Sequence, residues 1–314
     1  MFSRSISIPA FAKINWSLRV LGKRDDGYHE IDTVLQTISL HDTIMVAPTD
    51  DNSIHLWCDD RSIPANENNL VWRVAKGLQD QYGISRGARI RLLKRIPSLA
   101  GLGGGSSDAA ATLVALADLW SLDITALDPI LFTCVLGADV PFFLYGGTAR
   151  GTDRGDEIEP LNDAPEQHLL IIKPNANVST ARAYESLNAP ALTSLKAKPI
   201  LLRSQGSDDS VSFDLNALHN DFEAAIFQLE PEIERARNAL LKSKARAAML
   251  CGSGSAVFGI FENQDAQERA IQAIELETGW RAFPCKTVGR SHYRRAMGPA
   301  GDRVARLFGE NAGA

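Results

Sequence analysis

The segment Pro97-Ser98-Leu99-Ala100-Gly101-Leu102-Gly103-Gly104-Gly105-Ser106-Ser107-Asp108 joins two stretches of different apolar period. Upstream, residues 88–93 alternate Arg with Ile and Leu and read as a strand with one buried face. Downstream, residues 106–119 read as a helix. Ala109, Ala110, Leu113, Val114, Leu116, Ala117 and Trp120 give it a broad apolar stripe. Ser106, Ser107 and Asp108 are expected to supply its cap and first turn. A glycine turn between strand and helix delivers backbone N–H groups at close range, because no side chain obstructs the approach. The helix then opens with unpaired N–H groups and the positive end of its dipole. Together these make an anion site suited to phosphates. The hydroxyl of Ser106 or Ser107 can bond phosphate or ligate magnesium, a hard cation that prefers oxygen.

Two common phosphate loops are excluded. A P-loop ends in Gly-Lys followed by Ser or Thr, and no Lys stands here. A dinucleotide fingerprint fits at Gly101 and Gly103, but Ser106 occupies the place of its third glycine. A bare strand-to-helix turn is the plainer alternative. A glycine run this dense costs more chain entropy than a turn requires.

The rest of the chain has an ordinary globular composition. It has 314 residues, 45% hydrophobic and 23% charged, which excludes wholesale disorder and fibrous architecture. About 150 residues per domain gives roughly two domains. The formal net charge of -5 argues against a dedicated nucleic-acid binder. No apolar run approaches the roughly 18 residues of a membrane span. The start lacks the apolar core and cleavage site of a signal peptide. Cys58, Cys134, Cys251 and Cys285 have no zinc spacing and read as reduced thiols. A cytoplasmic protein is expected.

Strands are expected within 5–21, over 31–40, 43–47, 168–173, 247–250 and 256–261. Helices are expected over 69–82, 125–136, 179–187, 222–242 and 266–278. The polar, proline-containing stretch 156–167 suggests a boundary. The expected units are 1–165, 166–290 and a basic, mobile tail over 291–314.

The glycine-rich loop resembles the second motif of the GHMP kinases, the superfamily of galactokinase, homoserine kinase and mevalonate kinase. The N-terminal Ala12-Lys13-Ile14-Asn15-Trp16-Ser17-Leu18 and the later Gly27-Tyr28-His29 narrow the resemblance. They are similar to the branch that phosphorylates 4-diphosphocytidyl-2-C-methyl-D-erythritol in non-mevalonate isoprenoid synthesis. Gly137-Ala138-Asp139-Val140-Pro141, His219-Asn220-Asp221-Phe222 and Gly252-Ser253-Gly254 follow in the expected order. The resemblance implies a two-domain α/β fold, an N-terminal domain like ribosomal protein S5 and a ferredoxin-like C-terminal domain. It implies ATP and Mg2+ as cofactors and a small-molecule substrate on which the 2-hydroxyl is phosphorylated. A bacterial host is expected because no plastid transit peptide precedes the first motif. A weak homodimer is allowed for. Another GHMP small-molecule kinase and a non-catalytic nucleotide-binding regulator remain as alternatives.

Carried over position by position, the resemblance makes Asp139 the base that takes the hydroxyl proton. Lys13 stands beside it as a cation favouring the developing alkoxide. Pro97, Ala100, Gly101, Leu102, Gly103, Gly104, Gly105, Ser106 and Ser107 would hold ATP phosphates, with Asn69 and Lys94 on the adenine and ribose side. Asn15 would bond the substrate, and Tyr28 would stack on the cytosine while His29 reads its edge. Thr180 and Tyr184 lie one helical turn apart, so both can face the site, with Tyr184 on the other side of the base. Gly252, Ser253 and Gly254 would bring C-terminal backbone to the substrate. Two positions depart from the pattern. Cys251 stands where Ser or Thr is commoner, and Trp16 where an aliphatic residue is.

Overall fold

A computed structural model describes residues 5–123, 137–187, 189, 214–274, 277–299 and 301. The helix expected over 125–136 lies outside them. Strands β1 (Ile6–Lys23) and β2 (His29–Thr49) form one long antiparallel pair. The two strands expected over 31–40 and 43–47 are therefore one. Asp42 does not break β2 because its buried carboxylate accepts the N–H groups of Arg95 and Ile96 instead of turning its own chain.

Around this pair β3 (Ile54–Cys58), β4 (Gly87–Leu93) and the short β8 (His219–Asn220) complete the order β3-β4-β2-β1-β8. Strand β5 (Thr148–Thr152) pairs with β2 and with β6 (Glu157–Pro160). One face is covered by α1 (Leu70–Tyr82), α2 (Gly104–Trp120) and α3 (Val140–Tyr145), through an apolar core that includes Leu78, Ile90, Leu113 and Phe142. Asn69 caps α1 by accepting the N–H of Val71, and Gly83 ends it in the left-handed conformation.

The second sheet has the order β11-β7-β10-β9, with β7 (His168–Lys173), β9 (Ala247–Leu250), β10 (Val257–Phe261) and β11 (Arg281–Lys286). Neighbours are antiparallel throughout. Helices α6 (Pro231–Lys242) and α7 (Gln264–Ala273) connect its successive strands, which is the βαββαβ plan of ferredoxin-like folds. Helix α4 (Thr180–Leu187) follows β7. The single helix expected over 222–242 is two, α5 (Glu223–Leu229) and α6, because Pro231 removes the N–H that would continue the ladder.

The free face of the first sheet rests on the second. Ala12, Ile14, Trp16 and Ile38 pack with Leu169, Ile171, Met249 and Phe258, and Trp16 meets Phe258 edge-on at 5.8 Å. The unusual indole at position 16 is thus part of the joint between the sheets.

The first residues of the expected mobile tail are helix α8 (Arg290–Ala296). Tyr293 is fully buried in the core of the first sheet, beside Phe11 at 5.4 Å, and its hydroxyl donates to the carbonyl of Phe143. One buried ring outweighs the basic composition of the segment. Positions 302–314 lie outside the described residues.

Candidate active site

The glycine-rich loop is fixed by backbone on both sides. The N–H of Lys13 on β1 donates to the carbonyl of Leu102 at 3.0 Å. From the second lobe, the N–H groups of Ser255 and Ala256 donate to Leu99 and Ala100 at 3.1 and 3.2 Å. Gly101 and Gly103 have φ of 73° and 71°, where a side chain is strained. A Cβ on Gly101 would overlap the carbonyl of Cys251, and one on Gly252 would stand 2.8 Å from the carbonyl of Gly101. The two glycine turns touch backbone to backbone, so each needs its glycine.

Helix α2 begins at Gly104, two residues earlier than expected, with Gly103 in the cap position and no side-chain cap. That shift rotates the two serines. Ser107 is buried and donates to the carbonyl of Phe11 at 2.6 Å. Ser106 faces the cavity, close to Gly137. Of the two hydroxyl-bearing residues, Ser106 lines the cavity and Ser107 does not.

Beneath the loop lies a buried charge cluster. Lys94 donates to Asp42 and, at 2.7 Å, to Asp108 in the first turns of α2. Burial, and the nearby charge of Asp42, hold the Asp108 carboxyl well above its usual range despite Lys94. For Lys94, burial acts downward, but the two carboxylates outweigh it and hold its ammonium above the ordinary value.

Asp139 precedes α3, whose first turn carries Pro141. The Nζ of Lys13 stands 3.8 Å from its Oδ2. Lys13 is 5% exposed, not on a solvent face, and also donates to Asn15 Oδ1 at 2.9 Å. Asn15 donates in turn to Thr33 Oγ1 at 2.7 Å. Register shifts in the β1–β2 ladder fall on either side of Lys13 and Asn15, between Phe11 and Lys13 and between Asn15 and Ser17. Such irregularities re-aim side chains.

At the far end, His29 stacks on Tyr184 with centroids 4.6 Å apart and planes at 21°. Tyr184 meets Phe222 edge-on at 4.9 Å. The ring expected against a base thus lies against His29. Burial, and then the charge of Asp139, push the Tyr184 phenol up to about 12. Burial and Lys23 hold the His29 imidazole below its ordinary value. Tyr28 stands exposed at 57%.

One cavity of about 1250 Å³ joins these parts. It is lined by Lys13, Asn15, Tyr28, His29, Asn69, Lys94, Pro97, the loop 100–106, Asp139, Thr180, Tyr184, Gly252 and Ser253. Ser107 and Gly254 do not line it. A side chain at Gly254 would point at Leu250 and Ile226. Asn69 faces the cavity while its carboxamide is engaged with Val71 and Pro64. Asn220 donates to the carbonyls of Leu250 and Gly252 at 3.0 and 2.8 Å and so sets the second glycine turn. Cys251 is buried, which pushes its thiol up in spite of Lys13, and no reactive thiolate results. Sequence reading missed Arg154 and Asp156, which line the cavity beside Tyr28. Their only signal was a charged turn sequence, Asp153-Arg154-Gly155-Asp156.

Comparison with known proteins identifies the family. Residues 69–147 match the family model "GHMP kinases N terminal domain" and residues 205–278 match "GHMP kinases C terminal". The 4-diphosphocytidyl-2-C-methyl-D-erythritol kinase of Syntrophotalea carbinolica is 39% identical over 282 residues, covering 90% of this chain and 99% of the relative. The protein of the same name from Solibacter usitatus is 40% identical over 301 residues, covering 94% of each. A crystal structure of 4-(cytidine 5'-diphospho)-2C-methyl-D-erythritol kinase superposes with a TM-score of 0.73 at 33% identity, over 90% of this chain and 100% of that one. A homoserine kinase from Cytophaga hutchinsonii shares the fold, with a TM-score of 0.62 at 18% identity over 93% of this chain and 97% of its own. The family models and the relatives matched over nearly their whole length make this a small-molecule kinase, a phosphotransferase with an alcohol as acceptor. The chain belongs to the GHMP kinases, and within them to the 4-diphosphocytidyl-2-C-methyl-D-erythritol kinases.

Proposed function

We propose that this chain transfers the γ-phosphoryl group of ATP to the 2-hydroxyl of 4-diphosphocytidyl-2-C-methyl-D-erythritol. The observation that carries the reading is the Lys13–Asp139 pair. It stands in one cavity between the N-terminus of α2 and the aromatic end formed by Tyr28, His29 and Tyr184.

Phosphoryl transfer asks for positioning and for charge stabilisation. Backbone N–H groups of the glycine loop hold the phosphates. Asp139 accepts the proton of the hydroxyl as its oxygen bonds to the γ-phosphorus. The bond from that phosphorus to the bridging oxygen breaks, and ADP leaves. Lys13 stabilises the negative charge that gathers on the attacking oxygen.

The residues present also fit Mg2+. The Ser106 hydroxyl is an oxygen donor on the cavity wall, which together with phosphate oxygens suits a cation that keeps several waters. When bound, the ion neutralises charge on the phosphates. The reading places the enzyme in the cytoplasm, with its charged, water-soluble substrates. Among the described residues, no helix is long and apolar enough to cross a membrane.

The test is ADP release from ATP with Mg2+, offering the cytidine-linked methylerythritol beside homoserine, mevalonate and galactose. Turnover of the cytidine substrate alone is expected. Preference for another alcohol would move the substrate, and ATP binding with no turnover would favour a regulator.

A further inference from the structure

Two turns meet at the mouth of the cavity. One, at 24–28, joins β1 to β2, and the other, at 153–156, joins β5 to β6. Arg24 pairs with Glu30 within the first turn's flanks and, across the gap, with Asp153. The N–H of Ile31 donates to the carbonyl of Asp153 at 2.8 Å. The second turn is thereby fastened to the first.

From this second turn Arg154 lays its guanidinium over the Tyr28 ring, with Cζ 5.1 Å from the centroid. It also donates to Asp156 Oδ2 at 2.7 Å. The Asp156 side chain is only 10% exposed, so this charged contact is shielded from water. Tyr28 is held differently. Its N–H bonds Asp26 Oδ1 at 3.0 Å, while its ring projects from the surface without a packed core to order it.

We infer that Arg154 is a positioning residue that sets specificity for the cytidine end of the substrate. This rests on the functional reading above. The guanidinium holds the Tyr28 ring in place as a platform before the base arrives. Ordering the ring beforehand removes a cost that stacking would otherwise bear. Asp156 keeps the guanidinium on the ring instead of on the phosphates.

The test is a double-mutant cycle between Arg154→Met and Tyr28→Ala, with KM for the cytidine substrate, KM for ATP, kcat and melting temperature measured for each variant. Arg154→Met is expected to raise KM for the cytidine substrate roughly two- to fivefold and to leave kcat and KM for ATP unchanged. Arg154→Lys recovers part of the loss, since an ammonium keeps the charge but not the plane. In the Tyr28→Ala background Arg154→Met adds nothing. An equal effect in both backgrounds would overturn the inference, because Arg154 would then touch the substrate directly. An unchanged or lowered KM in Arg154→Met would overturn it too, the latter because the guanidinium would be covering the face the base needs. A wild-type enzyme that never turns over the cytidine substrate would overturn the functional reading and this inference together. Failure of Arg154→Met alone leaves the function standing.

Discussion

The ammonium of Lys13 reaches Asp139 from the buried middle of a strand, 3.8 Å away, with Asn15 holding it from the other side. A lysine so enclosed is oriented before any substrate arrives. Asp139→Asn keeps the shape of that pair and removes the proton acceptor. Turnover is expected to fall by about 10²–10⁴-fold. Calorimetry should find ATP and cytidine substrate bound nearly as before. Full turnover in the variant would remove Asp139 from its role.

Gly101→Ala asks whether contact between the two glycine turns matters. The position has φ of 73°, and a methyl group there would overlap the Cys251 carbonyl. Left-handed backbone costs a non-glycine residue about 1–2 kcal/mol, and the overlap forces the loop aside. The KM for ATP should rise roughly tenfold or more in a protein that still folds. Near-normal ATP binding by calorimetry would sink the phosphate-loop assignment.

The charge cluster under the loop should respond asymmetrically. Lys94→Met strands two buried carboxylates and should cost about 3–5 kcal/mol in urea unfolding. Asp108→Asn leaves Lys94 paired with Asp42 and relieves repulsion between the acids. Its midpoint should move by a small fraction of that amount. Equal losses in the two variants would contradict a cation shared by two acids.

His29 gives the molecule an acid limit. Burial, and then Lys23, keep its folded pKa below the ordinary value near 6.5. Between those two values the unfolded chain binds more protons than the folded one. Stability therefore falls as pH drops through that window and is fully retained above it. The loss in melting temperature as pH falls below about 6.5 should shrink in His29→Gln. An NMR titration of His29 checks the direction of the shift independently.

What could be read in advance was local. The strand, glycine turn and helix around 97–108 follow from spacing and backbone chemistry, and Gly252 and Ser253 were found as a motif. The division of labour between Ser106 and Ser107 was not legible, because it turns on where α2 begins. Gly254 was grouped with its neighbours, yet it does not line the cavity, and a side chain there would point at Leu250 and Ile226. Arg154 escaped because its nearness to Tyr28 depends on β5 pairing with β2, more than a hundred residues away in the chain. Composition did not anticipate the helix Arg290–Ala296, because charge averages over a window, whereas burial is decided by a single ring.

The buried Tyr293 has a bearing on how the chain is made. The core of the first sheet contains a residue that follows every strand of the second sheet in the chain, and β8 joins β1 only after residue 220 has emerged. Translation at about 5–20 residues per second leaves the β1–β2 hairpin waiting roughly 12–50 s for that ring. The lobe that is begun first is therefore completed last, and the second lobe has been synthesised before the first can close.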